Sequence, residues 1–128
     1  MRYLIDTQCW LWMEAEPDRL SKEKKKIILA PGTELFLSVA SAWEISIKYA
    51  LGKLALPLAP AAYVPDRLAR NRVLSLPIRV EHALRVADLP RYHRDPFDRL
   101  IVAQAQLEKM TVITTDPIFS KYDVRVYS

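Results

Sequence analysis

The stretch HRDPFDRLIVAQA, residues 93–105, places two carboxylates three residues apart, with a proline between them and an apolar run directly after. Local rules predict a helix start here, with Asp95 as the N-cap, Pro96 at the first helical position and Asp98 at the third. An N-cap oxygen accepts a backbone N–H that lacks a helical partner, and negative charge in the first turn suits the helix dipole. Helix capping alone therefore explains both acids, and a second role requires support from the rest of the chain.

Composition narrows the classes of protein to which the chain can belong. It has 128 residues, of which 51% are apolar and 27% are charged, and its formal net charge is +4. These values are typical of one globular domain, residues 1–128, and they argue against disorder. Cys9 is the only cysteine, which excludes an internal disulfide and a cysteine metal cluster. Only Gly32 and Gly52 occur, so a phosphate-binding glycine-rich loop is excluded as well.

The apolar segments are too short for a membrane protein. None approaches the roughly 20 residues that span a bilayer. The first residues, MRYLIDTQ, reach an acid at position 6, which a secretory leader would not tolerate. We therefore expect a cytoplasmic protein with no membrane contact.

Short apolar runs alternate with helical patterns along the chain. The runs that predict strands are YLID at 3–6, ELFLSV at 34–39, RVLSLPI at 72–78, TVITTD at 111–116 and VRVY at 124–127. The patterns that predict helices cover about 8–15, 22–29, 42–51, 60–71 (interrupted), 80–88 and 96–109. Because the strand runs are apolar at consecutive positions, they are typical of parallel strands buried on both faces. The sequence therefore predicts an α/β fold of three layers with a central, mainly parallel sheet.

Four acids fall where these elements meet one edge of the predicted sheet. Two of them end the first and fourth strands, one follows the second strand at the start of a helix, and one starts the helix before the fourth strand: Asp6, Asp116, Glu44 and Asp98. In open α/β sheets, ligands bind at the carboxyl ends of the strands, where the strand order reverses. Because carboxylates that share a site repel one another, their convergence predicts a bound cation.

Every one of these acids also has a purely structural interpretation. Three of them precede or start a helical pattern, where capping acids are common. Glu44 completes a capping box with Ser41 and stands four residues before Lys48, at the spacing of an ordinary ion pair. For one acid at a time both interpretations stay open, and the convergence of four elements favours the metal site.

The donor atoms predict which cation would bind. The acids offer only oxygen, and neither His82 nor His93 stands at metal-ligand spacing from another histidine or a cysteine. Oxygen donors suit Mg²⁺ or Mn²⁺ and not zinc. Such an ion keeps positions free for a phosphate and an attacking water, as phosphodiester hydrolysis requires. Basic residues near the acids would bind the backbone of a nucleic acid, and the candidates are Lys48, Arg94 and Arg99.

Four blocks of sequence carry a resemblance to a known family. They are YLIDT at 3–7, SVASAWEISIKYALGKL at 38–54, HRDPFDRLIVAQA at 93–105 and VITTDPIFSKYDVRV at 112–126. In order and spacing they closely resemble the PIN domain proteins, particularly the VapC-like toxins of type II toxin-antitoxin pairs. The resemblance covers nearly the whole chain. It implies a PIN-domain-like α/β/α sandwich and an endoribonuclease that uses Mg²⁺ or Mn²⁺. It also implies an RNA substrate, a cognate antitoxin protein and a homodimer.

The resemblance also assigns roles to single residues. The family's catalytic and metal-binding acids match the four identified above: Asp6, Glu44, Asp98 and Asp116. Thr114 matches a position that is often a small hydroxyl residue supporting the site. The role of Asp95 stays open. It is a helix cap, a group that supports the metal ligands, or an outer metal contact, and we favour a cap that also supports the ligands. The chain departs from the family at Gln8, where relatives commonly carry His.

A binding role without catalysis is the alternative function. In such a module the same acids would be caps, and the protein would only bind RNA or an antitoxin-like peptide. The stretch CWLWMEAE at 9–16 would either supply an apolar groove for a peptide or pack as a core helix. Divalent ions separate the two functions, because only the nuclease would depend on them. A phosphatase of the haloacid-dehalogenase type is excluded, since Gln8 stands where it needs a second aspartate.

Overall fold

A computed structural model describes residues 1–127 and shows strands and helices in the predicted order. The strands are β1 (Arg2–Ile5), β2 (Glu34–Ser38), β3 (Val73–Leu76), β4 (Thr111–Ile113) and β5 (Val126–Tyr127). The α-helices are α1 (Thr7–Ala15), α2 (Lys22–Leu29), α3 (Val39–Ala50), α4 (Pro60–Arg70), α5 (Val80–Arg85) and α6 (Pro96–Glu108). Short 3-10 helices lie at Pro17–Arg19, Val86–Asp88 and Pro117–Lys121. Helix α4 is continuous although Pro65 lies inside it, which differs from the interruption predicted near 60–71.

All paired strands run parallel, in the order β3-β2-β1-β4-β5. Strands β2 and β3 lie on one side of β1, and β4 and β5 lie on its other side. The strand order therefore reverses between β1 and β4. A ligand site is expected outside the carboxyl ends of these two strands, because the connecting segments leave them in opposite directions.

Both faces of the sheet are covered, as the consecutive apolar positions predict. In β1, Tyr3 and Ile5 belong to one core cluster, whereas Leu4 belongs to the other. The first cluster receives side chains from α1, α3 and α4, and the second receives them from α6. The result is the three-layer α/β arrangement that the sequence predicts. No helix among residues 1–127 is both long enough and apolar enough to cross a membrane.

The aromatic stretch at 9–16 packs mainly into the core. Trp10 is fully buried, and its ring lies edge-on to Tyr63 with the ring centroids 6.2 Å apart. Trp12 and Met13 pack against the same cluster and stay partly exposed. Trp10 therefore cannot line a peptide groove, and the core-helix interpretation describes this residue.

Helix α3 begins earlier than position 42, where the sequence analysis placed its start. Ser38 is the N-cap, and its hydroxyl accepts a backbone N–H of the first turn at 3.0 Å. Ser41 lies inside the helix, where its hydroxyl accepts a hydrogen bond from the Thr7 hydroxyl at 2.8 Å. The capping box of Ser41 with Glu44 is therefore wrong, and Glu44 occupies the second turn of the helix.

A buried amide joins α6 to the end of β2. The Gln104 side chain is fully buried, and its oxygen accepts a hydrogen bond from the Ser38 hydroxyl. Its nitrogen donates to the Pro77 carbonyl at 3.1 Å. Because Ser38 caps α3, this amide connects the helix that carries Asp98 to the helix that carries Glu44.

We expect Gln104→Met to lower the free energy of unfolding by about 1–3 kcal/mol, because the Ser38 hydroxyl and the Pro77 carbonyl would lose a buried partner. Urea unfolding followed by circular dichroism measures this change. Gln106→Met is the matched control, since the Gln106 amide accepts a hydrogen bond from Arg85 at the exposed surface. An equal change in both variants would contradict a special role for the buried amide.

Candidate metal centre

A cavity of about 340 Å³ opens at the carboxyl ends of β1 and β4, where the strand order reverses. Its wall includes five acids from four separate parts of the chain: Asp6, Glu44, Asp95 with Asp98, and Asp116. Lys48 and Lys53 line the same cavity, and Leu11, Ile45 and Leu54 supply its apolar wall. The structure therefore brings together all the acids that the sequence analysis singled out.

Asp6 has both carboxylate oxygens engaged by the protein. It is the N-cap of α1, where Oδ1 accepts the Cys9 backbone N–H at 2.8 Å and Oδ2 accepts the Thr114 hydroxyl. Burial raises the pKa of Asp6 above its ordinary value, and these hydrogen bonds partly offset that effect. The Thr114 hydroxyl also accepts the Asp116 backbone N–H at 3.0 Å. Thr114 thus connects the end of β1 to the segment after β4.

Glu44 reaches the cavity from α3 and is only 4% exposed. Its Oε2 accepts a hydrogen bond from Lys48 Nζ at 2.7 Å, and this bond raises the pKa of Lys48. Its Oε1 is buried and has no hydrogen-bond partner among the described residues. An unsatisfied buried polar atom costs about 1–3 kcal/mol. This oxygen is therefore available to a cation, and it is the strongest structural sign that the cavity can hold one.

Asp95 and Asp98 take the positions predicted for them at the start of α6. Asp95 is the N-cap, and its Oδ1 accepts the backbone N–H groups of Phe97 at 2.8 Å and Asp98 at 3.2 Å. Burial raises the pKa of Asp98 from 3.8 to about 7, and the neighbouring charge of Asp95 adds to the rise while His93 opposes it. The folded, metal-free protein therefore binds the Asp98 proton more tightly than an unfolded chain does.

His93 lies beside the acids. Its spacing in the sequence did not indicate this position. Its Nε2 lies 2.9 Å from Asp116 Oδ2 and 3.1 Å from Asp98 Oδ2. The possible ligand atoms of these three side chains all lie within 4.8 Å of one another. The sequence analysis compared His93 only with other histidines and cysteines. Its place in the loop directly before the acid-rich helix start was the signal that could have found it.

Arg99 holds the loop that leads into α6. Its guanidinium donates to the backbone carbonyls of Val86 at 3.0 Å and Pro90 at 2.9 Å. It also lies 3.4 Å from the Leu89 carbonyl and 3.4 Å from the Tyr122 hydroxyl. These contacts engage its N–H donors within the protein. Arg99 also lines a groove with His93 and Arg94, and its contact with RNA stays a prediction.

Lys53 lines the cavity beside Lys48, although the sequence analysis did not identify it. Gly52 has a positive φ of 72° and reverses the chain after α3. The Gly52 N–H binds the Tyr49 carbonyl and the Lys53 N–H binds the Lys48 carbonyl, which is the Schellman pattern. A glycine directly after a predicted helix end was the signal that could have placed Lys53 near the acids.

Comparisons with known proteins bear on the family and the fold. The sequence model of the PIN domain family matches residues 3–125. Ribonuclease VapC16 of Mycobacterium tuberculosis (strain ATCC 25618 / H37Rv) is 46% identical over 61 residues. That match covers 48% of this chain and 42% of the ribonuclease, so the chain aligns with less than half the length of that relative.

Solved structures share the fold over nearly the whole chain. One is VapBC2 from Rickettsia felis bound to a DNA fragment from their promoter, with a TM-score of 0.73, 18% identity, and 99% of this chain and 98% of that chain covered. Another is DNA-bound VapBC from Salmonella typhimurium, with a TM-score of 0.69, 18% identity, and 99% of this chain and 97% of that chain covered. At these identities the likeness shows the fold alone.

We expect Asp98→Asn to stabilise the metal-free protein by roughly 1–3 kcal/mol at pH 8. The folded-state pKa of Asp98 lies above its ordinary value, so its contribution to stability is present at low pH. That contribution is lost as the pH rises from about 4 to about 7, because the folded protein then holds a buried carboxylate close to the charge of Asp95. The gain from Asp98→Asn should therefore be larger at pH 8 than at pH 5.

Urea unfolding in EDTA at the two pH values measures this difference. Asp88→Asn removes an exposed carboxylate and serves as the control. A loss of stability in Asp98→Asn at pH 8, with the control unchanged, would contradict a destabilising buried charge at this position.

Proposed function

The chain belongs to the PIN domain family, and we propose that it is a metal-dependent endoribonuclease, the toxin of a toxin-antitoxin pair, that acts on RNA in the cytoplasm. One observation carries the proposal: the acids from separate elements line one cavity, where a buried oxygen of Glu44 has no partner among the described residues. The 46% identity over 61 residues to a protein named Ribonuclease VapC16 supports the same activity.

The proposed cofactor is Mg²⁺ or Mn²⁺, bound by four carboxylates: Asp6, Glu44, Asp98 and Asp116. The donor atoms fit such an ion because they are oxygens, and each engaged carboxylate oxygen keeps a lone pair beside its hydrogen bond. When bound, a divalent ion lowers the pKa of a water molecule and stabilises the charge that develops on a phosphate. The hydrogen-bond partners of the acids would hold the carboxylates in place. The apolar wall of Leu11, Ile45 and Leu54 would exclude bulk water from one side of the cavity.

Three basic residues are the proposed contacts for the RNA backbone. Lys48 and Lys53 line the cavity itself, so their ammonium groups can pair with phosphate oxygens next to the acids. Arg94 is exposed and lines a neighbouring groove of about 510 Å³, together with Arg91 and His93. Because His93 also contacts the acids, this groove adjoins the proposed reaction site. It offers a path for the phosphates that flank the cleaved bond.

A cognate antitoxin protein and a second copy of the chain are the proposed protein partners. The solved neighbours from Rickettsia felis and Salmonella typhimurium are described as VapBC, and they support an antitoxin for this chain. Large apolar side chains are exposed on several helices, among them Leu29 at 81% and Trp43 at 57%. Such side chains would be covered in a complex of toxin and antitoxin or in a homodimer.

We expect Asp6→Asn to reduce RNA cleavage by at least about 100-fold, because the site would lose charge that stabilises the reacting phosphate. Purified protein is incubated with a cellular RNA pool in Mg²⁺, in Mn²⁺ and in EDTA. The exposed-site control Asp88→Asn should cleave like the wild type. Circular dichroism checks that both variants fold.

A thermal-shift measurement keeps the test decisive when the RNA pool lacks the right substrate. Mg²⁺ or Mn²⁺ should raise the melting temperature of the wild type but not that of Asp6→Asn. Intact RNA together with no metal-dependent shift would mean that the acids have structural roles only. The chain would then be a binding module for RNA or an antitoxin.

RNA binding should weaken steeply with salt, because phosphate contacts release counterions. We expect Lys53→Ala and Arg94→Ala, each made in the Asp6→Asn background, to lower RNA affinity and to reduce the salt slope by about 0.7 per lost contact. Fluorescence anisotropy over a range of salt concentrations measures both quantities. Lys26→Ala, an exposed site on α2 outside the cavity, is the control. A flat salt response in the parent protein would refute the proposed backbone contacts.

A further inference from the structure

His93 is held on several sides by the protein. Its side chain is 14% exposed, and its ring lies edge-on to Phe119 with the centroids 6.1 Å apart. Its backbone N–H donates to the Tyr122 hydroxyl at 2.8 Å. Arg99 fixes the preceding part of the same loop through the carbonyls of Val86 and Pro90. The imidazole therefore has a defined position beside the acids.

The hydrogen bonds of the ring identify which nitrogen carries the proton. Nδ1 of His93 accepts the Asp95 backbone N–H at 3.1 Å. A nitrogen that accepts a hydrogen bond has no proton of its own, so the neutral ring carries its proton on Nε2. Nε2 is the atom that lies beside the carboxylates of Asp98 and Asp116. In this arrangement Nε2 donates a hydrogen bond and has no lone pair for a metal ion.

We propose that His93 is a positioning residue, which donates its Nε2–H to Asp116, lies 3.1 Å from Asp98 Oδ2 and orients both carboxylates for the divalent ion. This inference rests on the proposed metal-dependent function. The contacts use Oδ2 of each acid and leave the remaining lone pairs of the carboxylates for the ion. Hydrogen bonds to metal-binding groups of this kind typically change metal affinity by 10- to 100-fold.

Asp95 takes part in the same arrangement through its backbone. Its side chain caps α6, while its N–H fixes the ring of His93. The N-cap conformation that starts the helix therefore also sets the imidazole that orients Asp98 at the third helical position. This explains how Asp95 can support the site without binding the ion.

Two amide variants of His93 separate donation from the other possible roles. His93→Gln introduces a longer amide, whose N–H can reach the region of Nε2 and donate to the carboxylates. His93→Asn introduces a shorter amide, which can still accept the Asp95 N–H near the position of Nδ1 but cannot reach the acids. The two variants are matched in chemistry and differ in reach.

Isothermal titration calorimetry with Mn²⁺, in the absence of RNA, measures the effect. We expect His93→Asn to weaken Mn²⁺ binding by about 10- to 100-fold and His93→Gln to stay within a few-fold of the wild type. Urea unfolding in EDTA shows whether each variant folds. An equal large loss in both would overturn the proposal and indicate that the imidazole itself binds the ion. Unchanged affinity in His93→Asn would also overturn it.

The same titrations distinguish failure of this inference from failure of the proposed function. Asp6→Asn is included because it should abolish Mn²⁺ binding if the acids form the site. When wild type binds, Asp6→Asn does not, and His93→Asn binds like wild type, only the role of His93 is refuted. When the wild type does not bind Mn²⁺, the metal-dependent function and the role of His93 both fail.

Discussion

Repulsion between carboxylates at one edge of the sheet is the constraint on which the rest of the site depends. The protein offsets it with local partners for each acid. Asp6 accepts the Thr114 hydroxyl and a backbone N–H, Glu44 pairs with Lys48, and His93 lies between Asp98 and Asp116. The compensation is incomplete, because one oxygen of Glu44 stays unpaired among the described residues and burial raises the pKa of Asp98. What remains uncompensated is a negative charge that a cation can neutralise.

Helix capping and metal binding do not exclude each other in this fold, although the sequence alone left them as alternative interpretations of each acid. Asp6, Asp95 and Asp116 each cap a helix through one oxygen and line the cavity at the same time. A cap uses one carboxylate oxygen and points the helix N-terminus toward the acid, where the dipole favours negative charge. Helix starts at the reversal of strand order therefore make it less costly to bring acids together. Asp98 caps no helix but lies in the first turn of α6, where the dipole also favours its charge, and Glu44 instead has Lys48.

The sequence predicted most of the helix and strand positions and the convergence of the acids at one edge of the sheet, but it missed single side-chain contacts between distant residues. Consecutive apolar positions predicted the strands, and the spacing of Asp95, Pro96 and Asp98 predicted the start of α6 correctly. The start of α3 was wrong because Ser38 caps the helix while it also donates to Gln104, 66 residues away. His93 was missed because its partner Asp116 is 23 residues away. Neither contact leaves a periodic pattern that a sequence could show.

Arg99 also makes contacts that its neighbours in the sequence did not indicate. Arg99 directly follows Asp98 in the sequence, and a basic residue next to a predicted metal ligand suggests phosphate binding. In the structure its guanidinium instead joins carbonyls of Val86 and Pro90. The Val86 carbonyl also accepts the Leu89 backbone N–H at 3.2 Å, and an arginine with several donors can bind both this carbonyl and that of Pro90. The loop that Arg99 holds in this way presents His93 to the acids, so Arg99 supports the site through backbone contacts while it also lines the groove beside Arg94.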